Sequence, residues 1–140
     1  MSEKRFFGRE DILQIDDLPT EDVYVEPWGA WVRVRALTAG ERDAYQNSMF
    51  EVRHRGRGQP PEIRYKPEKA SARLVALSVI DEQGNRLFTE ADVEALARKN
   101  ARAIDIIAAV ARRLSGLDEE ALEEAEGNSG PELSGGSSIA

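Results

Sequence analysis

The chain contains no cysteine and a single histidine, His54. The first absence removes disulfides, thiolate nucleophiles and the usual Cys/His zinc clusters. The second removes mechanisms that need a partnered imidazole. His54 sits in Arg53-His54-Arg55-Gly56-Arg57, where neighbouring cations disfavour metal and proton alike, so it reads as an exposed loop residue. No apolar run approaches the ~20 residues of a membrane-spanning helix. The first ten residues break into charge before any apolar core of a secretory signal develops, and a cytoplasmic location is expected. A basic excess is missing too. Asp and Glu number 26 against 19 Lys and Arg, giving a net charge of −7 and a pI near 4.9. That balance argues against general nucleic-acid affinity, which rests on phosphate neutralisation. The partner expected is protein, with no cofactor, no metal, no membrane and no nucleic acid.

What is present suits one ordinary domain. The 140 residues are 41% hydrophobic and 32% charged, and a chain of that length can bury roughly two thirds of its unfolded surface. Residues 1–20 are expected to form an N-terminal segment with a short helical turn, in which Ile12, Leu13 and Ile15 lie among acids and Pro19 is the stop. Val23 to Trp28 and Ala30 to Arg35 are β-branched and aromatic runs on either side of Gly29, the pattern of a hairpin. In the second run Val32 and Val34 share one face, while Trp31, Arg33 and Arg35 share the other. Two readings of the tryptophans follow. Arginine stems partly cover Trp31 in a cation and ring arrangement, or Trp28 and Trp31 are anchors for a partner.

Thr38-Ala39-Gly40-Glu41 is a capping box, so a helix is expected from here to about Val52, with Tyr45, Met49 and Val52 on one side. Residues 53–66, "RHRGRGQPPEIRYK", hold paired Gly and Pro and much basic charge, and read as a mobile loop. A second helix is expected with Pro67 in its first turn and Ala70, Leu74, Leu77 and Ile80 inward. Thr89 caps a third through Asp92, carrying Val93, Leu96 and Ala97, and Asn100 is placed to cap a fourth. That fourth helix, Ala101 to Leu114, is the most apolar stretch. Ala103, Ile107, Val110 and Leu114 make one face, and Ile104, Ala108 and Ala111 widen it. Such breadth means a helix central in the domain or one covered by a second protein. Ser115-Gly116 is its stop, and residues 118–126 read as a short acidic helix.

The stretch "DEQGNRLFTEAD", Asp81 to Asp92, places oxygen-bearing side chains where a calcium loop wants them. Arg86 nevertheless stands where that loop needs glycine, and Asp92 where it needs a bidentate glutamate. The oxygens are assigned to a reverse turn at Gly84 and to a helix cap. Acid pairs such as Asp16-Asp17 and Glu119-Glu120 are adjacent and exposed, so nothing shifts them toward catalysis, and no enzyme is expected.

Three segments in order carry a family resemblance. The first is "ILQIDDLPTEDVYVEPWGAWVRVRALTAGERDAY", with Trp28-Gly29 between valine-rich strands and Leu37-Thr38 leading into Glu41-Arg42-Asp43. The second is "ARLVALSVIDEQGNRLFTEADVEALARKN", and the third is the apolar helix closing in "VARRLSGLDEEALEE". Together they resemble the tail assembly chaperones of long-tailed bacteriophages and prophages. The resemblance implies a non-enzymatic helper in the host cytoplasm that holds the tape measure protein soluble and is absent from the finished virion. It also implies, in a frameshifted longer form, recruitment of the tube protein.

The expected fold is α+β, a small N-terminal hairpin packed on about four helices, with residues 21–126 as one domain and 127–140 as a flexible tail. The residues expected to meet a partner are Trp28, Trp31, Ile104, Ile107, Val110 and Leu114, with several copies along one client and self-association between them. Two other readings stand beside this one: a tail or head-completion component retained in the particle, and a nucleic-acid adaptor using the basic stretch 53–66 with Tyr65 as a stacking residue.

Overall fold

A computed structural model describes residues 3–117. The acidic stretch 118–126 and the tail 127–140 lie outside these residues. The order of elements is α1 (Arg9–Gln14), β1 (Thr20–Val25), β2 (Ala30–Arg35), α2 (Ala39–Asn47), β3 (Phe50–Arg53), β4 (Glu62–Tyr65), α3 (Ala70–Ser78), β5 (Val79–Ile80), α4 (Val93–Ala97) and α5 (Ala101–Leu114). The fold is mixed α+β, with small antiparallel sheets and five helices among the described residues.

β1 and β2 pair in the register Val23↔Val32 and Tyr24↔Trp31. Their turn is a single 3-10 turn, Glu26–Trp28, closed by Gly29. Gly29 has φ +64 and its N–H donates to the Val25 carbonyl at 2.9 Å, a left-handed conformation that glycine adopts without the steric cost a Cβ would bring. The hairpin is not a two-stranded unit as expected. β5 joins the far edge of β2 through Arg33↔Ile80 and Val34↔Val79, so Ile80 belongs to a strand and not to the preceding helix. Two consecutive β-branched residues after Ser78 favour the extended chain.

One face of this sheet lies on α5, which packs in turn on α3. Val25, Val34, Leu74, Ile107 and Ala108 are closed off from solvent there, with Ala103 and Ala111 letting the backbones approach. α5 is therefore the central helix, the first of the two alternatives its breadth allowed. Its two ends are tied to β1 and its turn by Arg113–Glu21 at 2.8 Å and Arg102–Glu26 at 2.9 Å. Such exposed pairs add little stability and serve chiefly to fix orientation.

The helix signals of the sequence appear as expected. Glu41 N–H donates to Thr38 Oγ1 while Glu41 Oε1 accepts from the Thr38 N–H. Thr89 N–H donates to Asp92 Oδ2 at 2.8 Å, and Ala103 N–H donates to Asn100 Oδ1 at 3.0 Å. α5 stops at Gly116 (φ +71) in a Schellman turn: Gly116 N–H donates to the Arg113 carbonyl and Leu117 N–H to that of Arg112. Asp81 Oδ1 accepts from the N–H groups of Gln83 and Asn85, both at 2.9 Å, so its carboxylate is used inside the reverse turn at Gly84.

Four further expectations need correction. α1 ends at Gln14, well before Pro19, and buries none of its residues. α3 begins at Ala70, after Lys69 in a left-handed conformation (φ +65), and Pro67 stays outside with its carbonyl accepting from the Ala70 N–H. α2 stops at Asn47, and much of the stretch read as a loop is a second hairpin, with Phe50↔Tyr65 and Val52↔Ile63 in register. Both strands alternate apolar and charged residues, the period of a strand and not of a helix. Glycine and proline are confined to the connection between them.

Candidate functional site

The six residues expected to meet a partner do not form one surface. Trp31 is 69% exposed and Trp28 is 40% exposed. Ile104 and Ile107 are 5% and 1% exposed, so their side chains serve the chain's own core and leave nothing for a partner to cover. Val110 and Leu114 are half-buried against that core. The apolar excess of α5 is absorbed by β1, β2 and α3.

Trp31 sits on the outward side of the three-stranded sheet, and Trp28 ends the turn between β1 and β2. Alternation sends Val23 and Val25 inward and Tyr24 outward, where its ring meets Trp31 edge-on at 5.4 Å and 61°. Arg33 beside it is engaged by Asp22, with Nε and Nη2 donating to the two carboxylate oxygens at 2.7 and 3.1 Å. Trp31 therefore rests on a tyrosine, and the expected cover of arginine stems is replaced by this cross-strand pair. Leu87, also exposed, borders a shallow cleft of about 290 Å³ with Trp31 and Ile80.

A second apolar face was missed in the sequence. Phe50, Val52, Ile63 and Tyr65 are all exposed on one side of the β3–β4 hairpin, with Phe50 and Tyr65 at 5.6 Å between ring centres. Glu51, Arg53, Glu62 and Arg64 take the other side, where Lys66 Nζ pairs with Glu51 at 3.4 Å. The alternation in "FEVR" and "EIRY" was the available signal. A third exposed group, Phe6, Phe7, Ile12, Leu13 and Ile15, lies along the N-terminal arm, where Arg5 stands 5.0 Å from the Phe7 ring centre.

The electrostatics are those of structural pairs. Hydrogen bonding from Arg33 holds the Asp22 carboxyl below its usual range, and Lys69 does the same for Glu94. Burial raises the Glu41 carboxyl, but the Thr38 N–H and the Arg35 guanidinium outweigh it and leave the group lowered. These carboxylates are held ionised by cations, the opposite of an acid poised for proton transfer. Among the described residues no group of three or more His, Asp or Glu is placed to hold a metal ion, and no helix is long and apolar enough to cross a membrane.

What distinguishes the surface is thus exposed apolar side chains on small sheets. The model of the phage tail assembly chaperone family matches residues 16–128. The chain belongs to that family. The match takes in both hairpins of the chaperone and its helices α2 to α5, and leaves out α1 with Phe6, Phe7, Ile12 and Leu13. No curated protein and no solved structure matches the chain.

Proposed function

We propose that this tail assembly chaperone binds the tape measure protein and keeps it soluble in the host cytoplasm while the tail is built, and that it is absent from the mature virion. The observation that carries the reading is the outward face of the three-stranded sheet, where Tyr24, Trp31 and Leu87 stand exposed beside the Trp28 turn. A long helical client needs apolar cover for its own stripes until the tube protein replaces it, and solvent-exposed aromatic residues on a rigid sheet are suited to that. The chain's net charge of −7 keeps such a complex in solution. The role is stoichiometric and non-catalytic, with several copies along one client.

Of the six expected contact residues, Trp28 and Trp31 are the ones this proposal retains. Co-expression of the tape measure protein with the wild-type chain raises the soluble fraction of the client, and a Trp28→Ala/Trp31→Ala pair of substitutions returns it to the level without the chaperone. Equal client solubility with and without the wild-type chain would overturn the proposal. Mass spectrometry of purified virions checks the second half: peptides of this chain at a fixed stoichiometry would make it a retained tail or head-completion component instead.

A further inference from the structure

A groove of about 880 Å³ runs between α2, β4, α3, α4 and α5. Its accessible apolar lining includes Met49 and Tyr65, of which Tyr65 stands out into solvent from the second hairpin, over a floor formed by the buried core residues Tyr45, Leu96 and Ile104. Four cations border it, Lys69, Arg98, Lys99 and Arg112, against two carboxylates, Glu94 and Asp105. Glu94 is already shared by Lys69 at 2.7 Å and Arg98 at 3.9 Å, and Arg112 donates to Ser71 Oγ at 3.0 Å. The Lys99 ammonium meets no carboxylate among the described residues. In an acidic protein, this is an apolar groove with a positive rim.

The chain leaves α5 at this groove. The Schellman turn at Gly116 folds Leu117 back, so that the last described residue packs against the core and itself lines the groove. The next nine residues, Asp118 to Glu126, carry six carboxylates and no cation, with Ala121, Leu122 and Ala125 at the spacing of one helix face. The family match extends through them to residue 128. Charge, apolar spacing and point of exit all favour the same occupant. Because the segment is tethered at the groove's edge, its effective concentration there exceeds that of any free copy.

We propose that residues 118–126 seat in this groove of their own chain, Leu122 toward the apolar lining and the carboxylates toward the Lys69, Arg98, Lys99 and Arg112 rim. The free chain then covers part of its own apolar surface. That a client displaces the segment rests on the function proposed above, whereas the docking itself does not.

Zero-length carbodiimide cross-linking of the full chain, in an equal mixture of ¹⁴N and ¹⁵N copies, tests the docking. Mapped by mass spectrometry, Lys99 is expected to join carboxylates of 118–126 within isotopically pure pairs, with the Lys69–Glu94 link as internal control. Links of mixed isotope, meaning a second copy as occupant, would overturn the proposal, and so would the control link without any link to 118–126. In the full chain, Leu122→Asp is expected to abolish the Lys99 links and raise the fluorescence of an apolar-surface dye several-fold with an unchanged circular dichroism spectrum. An unchanged dye signal counts against the proposal. Client solubility measured alongside separates the two ideas: loss of docking with the client still solubilised sinks only this inference.

Discussion

The two sheets are built from the same kind of strand and end in different situations. In β1 and β2 the alternation sends valines onto α5, where Val25 and Val34 lose all contact with water. In β3 and β4 it leaves Phe50, Val52, Ile63 and Tyr65 exposed. Alternation specifies a strand; a helix laid across one face makes that strand stable. A lone two-stranded hairpin is marginal in water. The difference divides the molecule into a sheet that carries the domain's stability and a hairpin that opens locally at low cost.

Deleting the same atoms from each part gives the largest expected contrast. Ile107→Ala empties a closed site between the sheet and α3, and should cost about 2–5 kcal/mol. Ile63→Ala removes a side chain that is already wet, and should stay within about 0.5 kcal/mol. Urea denaturation of both variants reads the difference directly from the transition midpoints. Similar losses for the two would mean that the hairpin shares the core's cooperativity, and the division would fail.

The parts of this arrangement that were legible in advance are those encoded locally. Thr38, Thr89 and Asn100 cap helices because a short oxygen side chain followed by a free N–H two or three residues on is a local event. The inward valines of β2 follow from period two alone. What escaped was decided at longer range. Nothing within Phe50 to Val52 says that Ile63 to Tyr65 will return to pair with it across a connection rich in glycine and proline. The burial of Ile104 and Ile107 was likewise undecidable from the helix by itself, since a helix with a broad apolar face looks the same whether its cover is the chain's own sheet or another protein. The family resemblance pointed to a chaperone without saying which surface is left open. The exposed hairpin face emerged only once it was clear which strands the helices leave uncovered.

A middle-sized effect is expected where the sheet hands over to the helices. Arg35, on the outward side of β2, turns its guanidinium to Glu41 of the α2 cap and to the Ala36 carbonyl. Glu41→Gln keeps an oxygen for the Thr38 N–H but leaves a half-buried guanidinium without its counter-charge, at a cost of about 1–2 kcal/mol near neutral pH. Because the folded-state pKa of Glu41 is held below its ordinary 4.5, the ionised form stabilises the fold above that value. The contribution is lost as the pH falls through the lower folded pKa. The gap between wild type and variant, measured by denaturation across pH 3 to 7, should therefore be full above about pH 4.5 and shrink below it. A gap that widened toward acid would show that the carboxyl is raised instead.

The smallest effect sharpens the comparison most, because each sheet carries one cross-strand aromatic pair in nearly the same geometry. Tyr24 and Trp31 lie 5.4 Å apart between ring centres, Phe50 and Tyr65 5.6 Å. Both pairs face water, so burial does not distinguish them. A double-mutant cycle to alanine on Tyr24 and Trp31 should return a coupling of about 0.5–1 kcal/mol in global stability, since the sheet beneath them unfolds only with the domain. The same cycle on Phe50 and Tyr65 should return close to zero from global unfolding, yet appear as faster amide exchange at Glu51 and Arg64, the hydrogen-bonded pair between them and Val52↔Ile63, when either ring is removed. Local opening of the hairpin precedes global unfolding, so its pair is already broken in the state from which the domain melts. Equal couplings in the two cycles would place both sheets in one cooperative unit and remove the physical basis for treating the second hairpin as separable from the core.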